Sequence, residues 1–187
     1  MPKIENNSLF LNKKVKKKRK IFKNIITKTK TYIDGKYVGQ FNGKLKEGKG
    51  TYYYINGDKY IGEWKRNLKE GKGKFCWNDG DIYEGEFKNN LKEGEGKYYY
   101  NNGGIFEGKW KNDKKEDKGI HFWSNGDIYE GDWKNDLIEG EGILYYTNGD
   151  KEIGNFIKNI PVGKHTIFYC EGDKEYYDYN SKNLSDT

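Results

Sequence analysis

From Tyr37 onward the sequence repeats every 23 residues, six times and without an insertion, ending at Lys174. A chain of short equivalent units has no single central core; each unit must bury its apolar side against its neighbours. Residues 60–82 (YIGEWKRNLKEGKGKFCWNDGDI), 83–105 (YEGEFKNNLKEGEGKYYYNNGGI) and 129–151 (YEGDWKNDLIEGEGILYYTNGDK) show the register. With Tyr37 as position 1 of the first unit, position 1 is Tyr37, Tyr60, Tyr83, Phe106, Tyr129 and then Glu152, and position 3 is always Gly. Position 5 is Phe41, Trp64, Phe87, Trp110, Trp133 and Phe156. Polar residues such as Glu84 and Glu86 stand between them, which is the period-two pattern of a strand with one face in water.

A polar connection of eight residues leads to the glycine of position 14 (Gly50, Gly73, Gly96, Gly119, Gly142). It opens a second run with an aromatic at position 18: Tyr54, Trp77, Tyr100, Trp123, Tyr146, Tyr169. Asn-Gly, Asp-Gly or Glu-Gly then closes the unit, and the first two dipeptides suit a two-residue type I′ hairpin turn. Twenty-two of the 25 glycines occupy positions 3, 12, 14 and 21, so backbone geometry explains them better than phosphate binding does. Composition agrees, since 17 Tyr, 5 Trp and 9 Phe with no Ala argue against a helical bundle. One hairpin cannot bury its rings, but stacked hairpins can. The expected fold is all-β: an extended antiparallel single-sheet solenoid of six stacked β-hairpins, roughly 60 Å long at two strands per unit.

Tyr-x-Gly-x-Trp followed by Gly-x-Gly about every 23 residues resembles the MORN (membrane occupation and recognition nexus) repeat, over residues 37–174. The fourth unit departs from it with Asp117 in place of Gly. The sixth departs with Glu152 for Tyr, His165 for Gly, and Pro161 in its connection, and is expected to be a terminal cap. Before the first unit, residues 31–36 resemble only the second strand of a repeat.

Charge divides the chain. Residues 1–36 hold 12 Lys/Arg against Glu5 and Asp34, for +10; the rest holds 23 against 27, for −4. Lys13, Lys14, Lys16, Lys17, Lys18, Arg19 and Lys20 form a basic block that suits an anionic membrane, a nucleic acid or an import receptor, or acts as a solubilising tail. Ile21, Phe22, Ile25 and Ile26 have the spacing of one face of a short helix, and residues 175–187 read as a loose tail. The domain reading is 1–36 as basic extension, 37–174 as repeats and 175–187 as tail. No run is long or apolar enough for a membrane-spanning helix, and a soluble cytoplasmic protein is expected. Cys76 and Cys170, four units apart, are expected to be free thiols. No metal site and no cofactor is expected, because His121 and His165 form no cluster of ligand spacing. The recurring Glu47, Glu70, Glu93, Glu116 and Glu139 read as solvated charges on turns, and no nucleophile is paired with a base.

The resemblance implies a non-enzymatic scaffold, because MORN proteins serve at membrane–cytoskeleton junctions and as accessory domains of enzymes. The partner-binding residues expected are the rings Tyr54, Trp64, Trp77, Tyr100, Trp110, Trp123, Trp133 and Tyr146, taking an extended or helical peptide. The alternative is a peripheral membrane module that binds anionic lipids or phosphoinositides through residues 13–20. Homo-oligomerisation stays open, and nucleic acid is disfavoured because the rings lie in the acidic part.

Overall fold

The computed structural model describes residues 25–180. They form one open sheet of 14 antiparallel strands whose spatial order is their sequence order. Strand β1 is Ile25–Tyr32. The first strands of the six units are β2 (Gly35–Asn42), β4 (Lys59–Lys65), β6 (Ile82–Lys88), β8 (Ile105–Lys111), β10 (Ile128–Lys134) and β12 (Lys151–Ile157). The second strands are β3 (Leu45–Tyr54), β5 (Leu68–Cys76), β7 (Leu91–Tyr99), β9 (Lys114–Phe122), β11 (Leu137–Tyr145) and β13 (Ile160–Phe168), and β14 (Lys174–Asp178) closes the sheet. The stacked-hairpin expectation holds, with each unit one hairpin.

The glycines of positions 3 and 14 pair with one another across neighbouring strands. Gly39, Gly50, Gly62, Gly73, Gly85 and Gly96 register side by side, and the row continues to Gly154 in β12. The position 1 ring lies flat on this bare backbone. A Cβ on Gly85 would come within 2.6 Å of both the Tyr83 Cζ and the Gly96 Cα, so neither face of the gap has room for one. The Tyr60 and Tyr83 hydroxyls each donate to the carbonyl three residues on, Glu63 and Glu86, at 3.1 Å. Each position 1 ring then meets two position 5 rings edge-on. Tyr60 lies 5.1 Å from Trp64 of its own unit and 5.1 Å from Phe87 of the next, with interplanar angles of 88° and 84°. Edge-to-face pairs of this kind contribute about 0.5–1.5 kcal/mol beyond area burial, and here they run the length of the sheet. The indoles are anchored as well, for Trp64, Trp110 and Trp133 Nε1 donate to the carbonyls of Gly50, Gly96 and Gly119 at 3.2 Å.

The turns exchange the expected roles. The two-residue hairpin turns with positive φ at both residues lie within the units, at Arg66-Asn67, Asn89-Asn90, Asn112-Asp113, Asn135-Asp136 and Lys158-Asn159. Most of the expected polar connection is therefore strand, as Leu68–Cys76 shows. At the Asn-Gly and Asp-Gly sites only the glycine has positive φ; Gly57 N donates to Tyr54 O at 3.1 Å and Tyr54 N to Asp58 O at 2.9 Å. That is a three-residue loop, a tight turn closed by a left-handed glycine, and not a type I′ turn. Asn and Asp tolerate left-handed backbone, which is why Asn67 (φ 73°), Asn90 (φ 76°) and even Asp117 (φ 63°) stand where glycine is the usual choice.

Three further expectations change. Ile25 and Ile26 open β1 instead of a helix, because alternating β-branched residues from Ile25 to Thr31 pair with all of β2 and cover its free edge. Ile21 and Phe22 lie outside the described residues, as do Lys13–Lys20. The tail is not loose at its start, since residues 174–178 are β14, paired with Lys164–Phe168 of β13. The sixth unit is thus an inner unit, covered by β14 up to a point short of Pro161.

Gly85→Val is expected to lower stability by about 2–3 kcal/mol through forced displacement of the Tyr83 ring. Glu84→Val, which removes an exposed ion pair with Lys74 (2.6 Å), should change it by less than about 1 kcal/mol. Denaturant midpoints of the two variants check the difference, and equal losses would contradict it.

Candidate functional site

One face of the sheet carries the rings of positions 1, 5, 16 and 18, while position 17 places Tyr53, Tyr99, Phe122, Tyr145 and Phe168 on the other. Besides the core row of positions 1 and 5, a second row runs beside it from positions 16 and 18. Tyr52 lies 4.5 Å from Tyr54, Phe75 4.5 Å from Trp77, Tyr98 4.6 Å from Tyr100, and His121 4.9 Å from Trp123. The position 18 rings Tyr54, Trp77, Tyr100 and Trp123 pack on the core yet stay partly exposed. This divides the eight expected partner-binding residues. Trp64, Trp110 and Trp133 are 4–5% exposed and belong to the core. Tyr54, Trp77, Tyr100 and Trp123 present ring surface, as does half-buried Tyr146, whose hydroxyl donates to Glu152 Oε2 at 2.6 Å.

A row of lysines at position 10 overlies the same face. Lys46 Nζ stands 4.2 Å above the Trp64 ring, Lys92 Nζ 4.1 Å above Trp110, and Lys115 Nζ 4.6 Å above Trp133. Lys69 Nζ stands 4.5 Å above Phe75. Cation–π attraction holds each ammonium against a ring while the aliphatic stem fills the layer. Burial nevertheless pulls Lys46 and Lys115 down to about 8, and it lowers Lys69 and Lys92 as well. The sequence reading missed this row by treating position 10 as connection. The signal was Lys at that position in four consecutive units.

The turn carboxylates have a structural use. Glu47, Glu70, Glu93, Glu116 and Glu139 each accept from the first turn N–H of the following unit, at 3.0–3.1 Å. Asn67 ties the units again, with its Oδ1 accepting from Lys46 N at 2.8 Å and its own N–H donating to Lys46 O at 3.0 Å. At the other margin Asp58, Asp81, Asp127 and Asp150 each accept from a loop N–H of the next unit. The expectation that the turn glutamates are merely solvated is therefore corrected.

In the sixth unit the two apparent departures compensate one another. His165 stands where position 14 glycine would be, and its ring takes the space that a tyrosine ring fills elsewhere, directly over Gly154. Its Nε2 lies 2.9 Å from the carbonyl of Asn155, the same position 4 carbonyl that the tyrosine hydroxyls reach. It meets Phe156 edge-on at 5.3 Å. Glu152, in the tyrosine's place, lies 2.7 Å from His165 Nδ1 and accepts from Tyr179 at 2.8 Å. Glu152 and His165 are 4% and 1% exposed, so the pair serves the core.

Among the described residues, no group of three or more His, Cys, Asp or Glu is placed to hold a metal, and no helix is long and apolar enough to cross a membrane. Cys76 and Cys170 are free. A sequence model of the MORN repeat matches residues 37–59, 60–82, 83–105, 106–128 and 129–151. The chain belongs to the MORN repeat family. No curated protein matches it. Among solved structures it resembles the TCP domain of Drosophila melanogaster SAS-4 in complex with a proline-rich motif of Ana2. That match has 15% identity and a TM-score of 0.47, covering 81% of this chain and 88% of that one. It also resembles the TCP10 domain of Danio rerio CPAP in complex with a peptide of STIL, at 14% identity and a TM-score of 0.23, covering 82% of this chain and 89% of that one.

The titrations predict an unusual stability profile. His121 is pulled down to about 4 by burial and by Lys115, so it binds fewer protons folded than unfolded; stability rises with pH from about 4 to 6.5. Lys46 and Lys115 act with the same sign between about 8 and their ordinary value of 10.5, so stability rises again there. Tyr37, Tyr54 and Tyr100 are pushed up to about 12 by burial, so they protect the folded state below pH 10 and cease to do so as pH climbs past it. Lys46→Met should therefore gain more in denaturant midpoint at pH 7, where the buried charge is present, than at pH 10. An equal or larger gain at pH 10 would contradict the assignment.

Proposed function

We propose that this chain is a non-enzymatic scaffold that holds a segment of a partner protein against its ring face. The observation that carries the reading is the half-exposed row of position 18 rings, backed by a fully packed core row. Large planar side chains already fixed by packing lose little freedom on binding, and such residues dominate interface energetics. The opposite face is less suited, since its position 17 rings, such as Tyr53 and Phe122, stand among exposed ion pairs such as Lys97–Glu107 (2.7 Å), which contribute little in water. The Glu152–His165 pair is closed off from solvent, which favours binding over catalysis. Work at a membrane–cytoskeleton junction in the cytoplasm is part of the proposal, and rests on the family resemblance.

A second reading is favoured by the basic block at Lys13–Lys20, with seven bases in eight positions. Each base near an anionic surface contributes about 1 kcal/mol, which is ample for attachment to lipid. The two readings address different residues and can both hold.

The test uses full-length protein as bait and then titrates a recovered protein partner. Trp123→Ala and Tyr100→Ala should weaken its binding by about 2 kcal/mol, and Glu84→Lys on the opposite face should leave it within about 1 kcal/mol. Replacing the seven bases with Gln should abolish sedimentation with anionic vesicles and leave the protein partner bound. Loss of the partner on Glu84→Lys, with both ring variants normal, would move the site to the opposite face.

A further inference from the structure

We propose that the segment bound on the ring face is acidic and adopts a polyproline II helix, with a carboxylate at every third residue, lying across the strands along the lysine row. The proposal rests on the scaffold reading above and names the chemistry and conformation of its ligand.

The charge argument comes from four lysines in four consecutive units. Lys46, Lys69, Lys92 and Lys115 pair in register with Phe41, Trp64, Phe87 and Trp110 and occupy the same place in each hairpin, so they form one row perpendicular to the strands. Among the described residues none of the four is in an ion pair; the paired lysines are others, such as Lys74, Lys97, Lys109 and Lys118. The nearest carboxylates, those of Asp34, Asp58, Asp81, Asp113 and Asp136, attract these ammonium groups from beyond ion-pair distance, and their oxygens accept hydrogen bonds from other groups. Asp34 and Asp81 accept from the Tyr52 and Tyr98 hydroxyls at 2.5 Å, and Asp113 and Asp136 accept from the backbone N–H groups of Lys92 and Lys115 at 2.7 and 2.8 Å. Lys46, Lys69 and Lys92 are only partly buried and offer positive charge above an aromatic floor, whereas Lys115 is 9% exposed, with its Nζ 3.4 Å from His121 Nδ1, and ends the accessible part of the row. The row stops at the fifth unit, where Ile138 and then Pro161 take position 10.

The pitch argument selects the conformation. Two strands per unit at about 4.8 Å space the lysines about 9.6 Å apart, or about 29 Å over the row. Polyproline II turns once every three residues in about 9.3 Å, so nine residues cover about 28 Å and return the same side each turn. An α-helix repeats a side only every seven residues, about 10.5 Å, and overshoots the row by about 3 Å. A β-strand returns a side every 6.8 Å or so, which misses the second lysine by about 2.8 Å and meets the third and fourth only to within about 1–2 Å, a poorer match than polyproline II at each lysine. The flanking half-exposed rings Tyr54, Trp77, Tyr100 and Trp123 supply the flat surfaces on which prolines between the carboxylates would rest.

The experiment is a titration of full-length protein, followed by tryptophan fluorescence, with three synthetic peptides. One has four Glu-Pro-Pro triplets. The second is its isomer with the four glutamates adjacent, which has the same charge and conformation but scatters the carboxylates around the helix. The third is an α-helical peptide with glutamate at every seventh residue. The triplet peptide should bind at least about tenfold tighter than its isomer, weaken as salt rises, and lose at least about tenfold on Lys69→Gln/Lys92→Gln, a variant expected to melt no lower than the parent. Equal binding of the two isomers, or retention by the lysine variant, overturns the proposal. Preference for the helical peptide, lost on Trp123→Ala, would overturn it and leave the scaffold reading intact. If no peptide binds, the proposal fails, and the scaffold reading is then decided by its own partner titration.

Discussion

The structure depends on a ring laid on bare backbone. A single-layer sheet has no second layer to close its core, so its apolar side chains must cover one another while lying low on the strands. Tyr60 and Tyr83 achieve this because Gly62, Gly73, Gly85 and Gly96 beneath them carry no side chain. The phenol descends to the level of the main chain and its hydroxyl meets a carbonyl of the same strand. Everything above follows from that contact. The flattened tyrosines leave slots between them, the position 5 rings fill the slots edge-on, and the lysine stems roof the rings. A β-carbon on Gly62, Gly73, Gly85 or Gly96 would lift a tyrosine and open its neighbours on both sides.

Cohesion between units also has a polar part at the two margins of the sheet. On one margin the turn N–H groups of each unit are answered by a glutamate of the unit before, and on the other margin an aspartate answers the loop. These bonds lie at exposed sites and add about 1 kcal/mol each at most. They matter for register more than for affinity, because a slip of one residue would leave the turn donors unanswered on that margin. The ring face is thus held rigid from its core and along both edges, and a rigid face suits a binding surface.

Much of this was legible in the sequence. The 23-residue period, the two aromatic strand patterns and the glycine columns define the hairpin stack. They could not say which glycines serve conformation and which serve packing. Gly57 and Gly71 have positive φ, whereas Gly62 and Gly73 lie under a tyrosine. Both kinds look alike as letters. Turn positions were misread for a related reason: Asn-Gly is a strong hairpin signal, but Arg66-Asn67 adopts the left-handed pair because its N–H groups are answered from the previous unit, and that is a tertiary fact. The binding face was half legible. Tryptophan at positions 5 and 18 is equally conspicuous, and only the packing shows that the first kind is buried and the second partly open. Glu152 and His165 looked like decay of the pattern at a chain end. Seen in place they preserve it, because the ring has merely moved to the neighbouring strand.

That exchange gives the most direct measurement of the central claim. If every unit needs one ring over its glycine-lined gap, from either strand, then Glu152→Tyr alone crowds His165, and His165→Gly alone leaves a buried Glu152 beneath an empty space. The double variant Glu152→Tyr/His165→Gly restores the arrangement of the inner units. In a double-mutant cycle by denaturant unfolding, both single variants should lose about 2 kcal/mol or more, and the double should return to within about 1 kcal/mol of the parent. Additive losses in the double variant would contradict the account, since the ring over glycine would then not be what closes the unit.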